Sequence, residues 1–203
     1  MSSEVKANKL SPATGTDVVL GDSSDTFTVP SGATLAVASG ATVTNSGTAS
    51  GFGLFSSYAI IADQKAQDTE GGTFTSGAWR ERDLQTEIAD PDGIVSISTN
   101  QFTLGAGTYL IKWSAPGYKV NNHVTRLYNV TDTSVVEGGC CAYCQTAEAV
   151  ETRSDGSART TIAGSKAFTI EHQASATSAT YGFGVYAGMS TEQYTLVEIF
   201  KEA

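Results

Sequence analysis

The sequence predicts an all-β chain: an extended, β-rich N-terminal shaft followed by a β-sandwich or barrel head. Three observations carry this. Only 16% of the 203 residues are charged, against about 25% in ordinary soluble domains. Polarity comes instead from 49 serines and threonines and 21 glycines. No apolar period of 3.6 residues survives more than two turns, whereas short apolar or alternating runs recur between turn residues. At least eight such runs at turn-bounded spacing mean a sandwich or barrel.

The same composition excludes other classes. A coiled coil needs Glu, Lys and Leu in bulk. A formal charge of -9, without clustered Lys and Arg, argues against nucleic acid as a partner. At 40% hydrophobic residues the chain is no disordered acidic tail. The longest uncharged stretch, residues 31 to 62, is too rich in Gly, Ser and Thr to insert into a membrane. The opening Met1-Ser2-Ser3-Glu4-Val5-Lys6 has no apolar segment of the secretory type, so synthesis in a cytoplasm is expected.

Taken in order, residues 1–26 form a leading segment, which only the resemblance given below marks as an attachment segment. Residues 27–52 form the shaft. From Ser31 to Gly53, 18 of 23 residues are Ala, Gly, Ser or Thr. Ser31-Gly32-Ala33-Thr34 returns as Ser39-Gly40-Ala41-Thr42, a period of eight. Phe27, Val29, Leu35, Val37 and Val43 all occupy odd positions and can share one face of extended chain. A lone extended segment cannot bury that stripe. Either the segment is a flexible linker, or three copies wind together with their stripes on the axis. The regular spacing and the β-branched Thr and Val favour the intertwined trimer.

Residues 53–203 form the head. Strands are expected at residues 58–62, 79–88, 94–98, 101–104, 108–114, 124–130, 158–162, 166–171, 181–185 and 194–201. Asp90-Pro91-Asp92-Gly93 is a turn, with Pro setting one φ and Gly supplying a positive one. Tyr109, Ile111 and Trp113 share a face. In the last run Tyr194, Leu196 and Phe200 oppose Val197 and Ile199. A strand apolar on both faces is central, and its outer face is covered either by a loop or by another subunit; the second reading makes Tyr194, Leu196 and Phe200 the candidate trimer interface.

Phe102-Thr103-Leu104 followed by Gly107-Thr108-Tyr109-Leu110-Ile111 resembles the core motif of the tumour-necrosis-factor and complement-type globular heads. The resemblance implies a jelly-roll β-sandwich head that assembles as a trimer, with the last strand central. Over nearly its full length the chain also resembles tail-fibre and other virion fibre proteins of marine and cyanobacterial phages. The segments that carry this are residues 5–16, residues 21–34 and the terminal Tyr194-Thr195-Leu196-Val197-Glu198-Ile199-Phe200-Lys201-Glu202-Ala203. What it implies is a homotrimer on the virion: an N-terminus docked on other virion proteins, a thin shaft and a distal head that binds a host surface glycan or protein. The short shaft keeps a capsid-decorating or collar-associated role as the alternative, and a glycan-hydrolysing tail spike is the second alternative.

The residues offer little for catalysis, and no enzyme, cofactor or metal is expected. Val18-Val19-Leu20-Gly21-Asp22-Ser23 has the look of an esterase nucleophile block. However, neither His123 nor His172 follows an Asp at the spacing such a base requires, and no helices are expected. A glycan hydrolase needs two carboxylates about 5–9 Å apart. Asp90 with Asp92 is explained by the turn, and Glu148 with Glu151 by solvated surface. Cys140, Cys141 and Cys144 are too few for a four-ligand zinc site and too clustered for a disulfide framework. Binding is the positive expectation. The candidate receptor-contact residues are Tyr118, Asn121, Asn122, His123 and Tyr143, which combine aromatic faces with amide and ring donors.

Overall fold

The computed structural model describes Ser24, residues 26–44 and residues 54–203. The expected attachment segment, apart from Ser24 and Thr26, and the expected shaft-to-head boundary lie outside the described residues, as does Gly21-Asp22-Ser23. The chain divides into an N-terminal unit and a head.

In the N-terminal unit, residues 26–44 run as extended chain interrupted by two turns. The turns repeat the sequence period. Ala33 N donates to Pro30 O and Ala41 N to Ala38 O, both at 3.0 Å. Gly32 and Gly40 supply φ of 83° and 84° at the third turn position, as a type II turn requires. Phe27, Val29, Leu35, Val37 and Val43 are all exposed in the single chain.

The head is an all-β jelly-roll sandwich of twelve strands. They are β1 (Phe55–Lys65), β2 (Arg80–Glu81), β3 (Thr86–Ala89), β4 (Val95–Ser98), β5 (Gln101–Leu104), β6 (Gly107–Tyr118), β7 (Asn121–Asn129), β8 (Ser134–Gly138), β9 (Ala142–Cys144), β10 (Glu151–Ile162), β11 (Lys166–Ala174) and β12 (Glu192–Glu202). One sheet has the order β10-β6-β12-β1-β3. The other has β4-β5-β11-β7-β8, with β2 beside β11 and β9 beside β7. All pairings are antiparallel. The last strand lies between β1 and β6, as the two-faced apolar run predicts.

Period-two alternation builds the core. Ala59 and Ile61 of β1, Tyr109, Ile111 and Trp113 of β6, and Val197 and Ile199 of β12 point inward. They meet Phe102 and Leu104 of β5, Leu127 of β7, and Phe168 and Ile170 of β11. Fully burying each large side chain contributes about 1.5–3 kcal/mol. A smaller cluster of Phe74, Val120, Cys144 and Ala174, with Phe183, closes one end.

Two expected strands are corrected. Residues 79–88 are not one charged, half-exposed strand. The chain breaks at residues 82–85, where Arg82 and Leu84 are fully buried. Residues 181–185 form a turn and loop instead of a strand. Their glycines serve close approach. A Cβ on Gly182 would lie 2.5 Å from Ser178 O and 2.6 Å from Phe74 Cβ, and Gly184 has φ of 130° against the Tyr194 ring. The alternation of Tyr181, Phe183 and Val185 with glycine thus reflects a backbone pressed onto neighbours. Strands β8 and β9, five and three residues long, are too short to show a period-two pattern, and the first half of β10 is polar.

Candidate binding surface

Two surfaces and one buried polar cluster stand out in the head. The first surface is the outward face of the β10-β6-β12-β1-β3 sheet. Cross-strand pairing there aligns Tyr58, Phe200, Leu110 and Arg159 in one row. A second row holds Ile60, Glu198, Lys112 and Ser157, and a third Ala62, Leu196, Ser114 and Asp155. Tyr58 is exposed, and Leu110, Leu196 and Phe200 are half-buried, with the Phe55 ring tilted against Phe200 at 5.2 Å. Leu196 and Phe200 therefore share this outward face, where they are half-buried among the described residues. Tyr194 does not. It is 3% exposed, and its hydroxyl donates to Thr69 O at 2.6 Å. A register shift in the β1–β12 pairing between Ala62 and Gln64 breaks the strict alternation. Tyr194 belongs to the chain's own packing and is removed from the interface set.

The second surface is an open groove of about 590 Å³. Its floor is the outward side of β7 and the end of β11, with Asn122, Val124, Gln173 and Ala174. Its walls are Ser76 and Gly77 on one side and Cys141 and Ala142 on the other. Tyr143, cross-strand partner of Asn122, stands beside it and is exposed. The candidate contact residues divide here. Asn122 lines the groove. Asn121 adopts φ of 58° and accepts from Thr146 N at 3.2 Å, so it shapes a loop. Tyr118 packs edge-on against Tyr181 at 5.4 Å, with Lys119 Nζ 5.5 Å from its ring.

His123 borders the groove, yet it is 3% exposed and both ring nitrogens are engaged. Nδ1 meets His172 Nε2 and Nε2 meets Thr152 Oγ1, each at 2.9 Å. His172 Nδ1 is buried without a partner. An orphaned acceptor costs less than an orphaned N–H. That places the proton of His172 on Nε2, donating to His123 Nδ1, and the proton of His123 on Nε2, donating to Thr152. Burial and the nearby Arg82 guanidinium push His123 down to about 4 and His172 well below its ordinary range. Both rings are neutral at pH 7.

Arg82, fully buried, is the centre of this cluster. Its Nε donates to Thr195 Oγ1 at 2.8 Å, and its two terminal nitrogens donate to Pro116 O at 3.2 Å and Phe183 O at 2.7 Å. The guanidinium also lies 4.2 Å from the Phe183 ring. Burial lowers it to about 10, which leaves it charged at pH 7. One side chain thus ties β12, β6 and the 181–185 loop together. Sequence reading missed it because an arginine in a charged run carries no mark of burial.

Other polar candidates take part in local hydrogen bonds. Asp90 accepts from Ile94 N and Val95 N at 2.8 and 2.9 Å, and Asp92 accepts from Ser57 Oγ at 2.6 Å. Glu151 accepts from Val185 N at 2.9 Å. Cys140 and Cys141 are exposed and Cys144 is buried. Among the described residues no group of three His, Cys, Asp or Glu side chains is placed to hold a metal ion.

The fold is a jelly-roll β-sandwich with one outward apolar sheet face and one open groove. No protein-family model matches the sequence and no curated protein matches it. Among solved structures, Eiger TNF from S. frugiperda is similar, with a TM-score of 0.52 and 10% identity over 72% of this chain and 92% of that one. The globular domain of zebrafish complement 1qA protein gives 0.45 and 15% identity over 71% and 96%. PRD1 vertex protein P5 gives 0.45 and 11% identity over 74% and 100%. At 10% identity the likeness to Eiger TNF is one of fold.

Proposed function

We propose that the protein is a non-enzymatic, homotrimeric fibre or spike subunit of a phage virion. Its N-terminus docks on other virion proteins, residues near 27–52 intertwine as a shaft, and the head contacts the host cell surface. One observation carries the multi-chain reading: Phe27, Val29, Leu35, Val37 and Val43 recur around two matching turns and all remain exposed in one chain. Exposed apolar stripes at fixed spacing are stabilised by copies of themselves. The outward row of Tyr58, Phe200 and Leu110 offers the head a matching self-contact. Three heads on one shaft turn weak individual contacts into avid attachment.

Light scattering of the purified protein should return three times the 21.1 kDa of the chain. A monomer removes the proposal. Labelled trimer should bind intact host bacteria, and tens of copies per virion should be counted. Hundreds of copies would instead favour the capsid-decorating alternative.

A further inference from the structure

We infer that the groove between β7, β9 and the loop at residues 76 and 77 is a binding site for an uncharged oligosaccharide. This rests on the host-surface reading above and names the ligand class for it. The volume, about 590 Å³, lies within the range of about 300–1,000 Å³ that holds a small ligand. No Asp, Glu, Lys or Arg lines it, so nothing there selects an ion. The excess of negative charge on the chain works against an anionic ligand.

What the lining supplies is hydrogen-bonding capacity without charge. The side-chain amides of Asn122 and Gln173 make no hydrogen bond to any described residue. Each amide offers two donors and an acceptor, the set that vicinal sugar hydroxyls need. Ser175 Oγ accepts from Asn122 N at 3.1 Å, which leaves its own hydroxyl proton available to a ligand. Small apolar side chains, Val124 and Ala142, complete the lining and suit the C–H face of a pyranose. Tyr143, paired with Asn122 and exposed, presents an aromatic face beside them.

The rest of the cluster explains why the groove is preformed. His123 spends both ring nitrogens inward, on His172 and Thr152, so it shapes the wall without competing for ligand. Gly139 N donates to Thr125 O at 2.8 Å and Cys140 N to Asp155 O at 2.6 Å, which anchors the backbone leading into the Cys141 wall.

The test uses the full-length protein and an array of neutral oligosaccharides of hexose and N-acetylhexosamine, with sulfated and sialylated counterparts. Neutral glycans should be retained in preference to the charged ones. Asn122→Ala and Gln173→Ala should each weaken binding about tenfold. A second readout needs no variant. Bound glycan should protect Cys141, in the groove wall, from iodoacetamide, while exposed Cys140 outside the lining stays reactive. Failure of every neutral glycan to bind overturns the inference. So does binding that both variants retain with Cys141 still labelled. If wild type and variants bind host bacteria equally, the groove is wrong and adhesion stands. If no bacterium is bound at all, the host-surface reading falls with it.

Discussion

Gly156 is the position where one added methyl group should do most damage. It pairs with Trp113 across β10 and β6, and the indole lies over its Cα. A Cβ there would lie 2.7 Å from Cη2 and closer still to Cζ2 and Cε2. Ordinary carbon contacts need about 3.5–4.0 Å, so the ring must retreat by about 1 Å or more. The ring is 3% exposed and sits in a closed core. Its Nε1 donates to Thr125 Oγ1 at 2.8 Å, Thr125 Oγ1 pairs with Ser154 Oγ at 2.8 Å, and Ser154 Oγ donates to Cys140 O at 2.7 Å. The serine proton is committed to the carbonyl, so the chain runs in one direction from Trp113 to Cys140. Overpacking costs about 1–3 kcal/mol, and breaking the first link adds about 1–1.5 kcal/mol. The reduced freedom of the unfolded chain returns about 0.4–1 kcal/mol. Gly156→Ala should therefore lose about 3 kcal/mol, read as a lower urea midpoint at unchanged slope. In a Trp113→Leu background the ring is absent and the same substitution should cost less than 1 kcal/mol. Equal costs in both backgrounds, or less than 1 kcal/mol in the parent, would refute the contact.

Other outcomes follow from the same geometry. Leu35→Asp with Val43→Asp should abolish the trimer in light scattering and open the shaft to protease, whereas unchanged resistance argues against intertwining. Phe200→Asp, on the outward sheet face, should weaken trimer association while leaving the far-ultraviolet circular dichroism of the head unchanged; an unaltered assembly would exclude that face as the contact. Arg82→Met leaves Pro116 O and Phe183 O unpaired and should cost about 3 kcal/mol or more. Arg82→Lys should not restore it, because one ammonium cannot match the three-way fork. Acid should destabilise the head through the histidine pair. Unfolded histidine takes a proton near pH 6.5, whereas His123 when folded refuses it until about 4. The unfolded state therefore binds more protons across that window, and stability falls as pH falls. The loss is about 1 kcal/mol per pH unit from His123, less than the full 1.4 because the ring borders the groove. His172 adds loss of the same sign. Equal urea midpoints at pH 7 and pH 5 would refute the neutral pair.

The sequence alone determined the all-β class, most strand positions and the central place of the last strand, because side-chain alternation and turn residues are local signals. It also marked the eight-residue repeat, since a turn glycine and an apolar spacing need no partner to be seen. Asn122 and Tyr143 were legible as contact candidates by residue type. Only the tertiary structure decided which polar residues are interior. Arg82, His123 and His172 come from three separate strands or loops, and their burial depends on carbonyls and rings that the chain brings to them from elsewhere. The groove is likewise a product of pairing. Asn122 and Gln173 are 51 positions apart in the sequence, and only the β7–β11 register, with the closing wall at Cys141, places on one floor their amides, which pair with no described residue. Tyr194 and residues 181–185 show the converse. Their local pattern reads as an outward face and a strand, and long-range packing overrode it, because a register shift and glycine-scale clearances are set by neighbours distant in the chain.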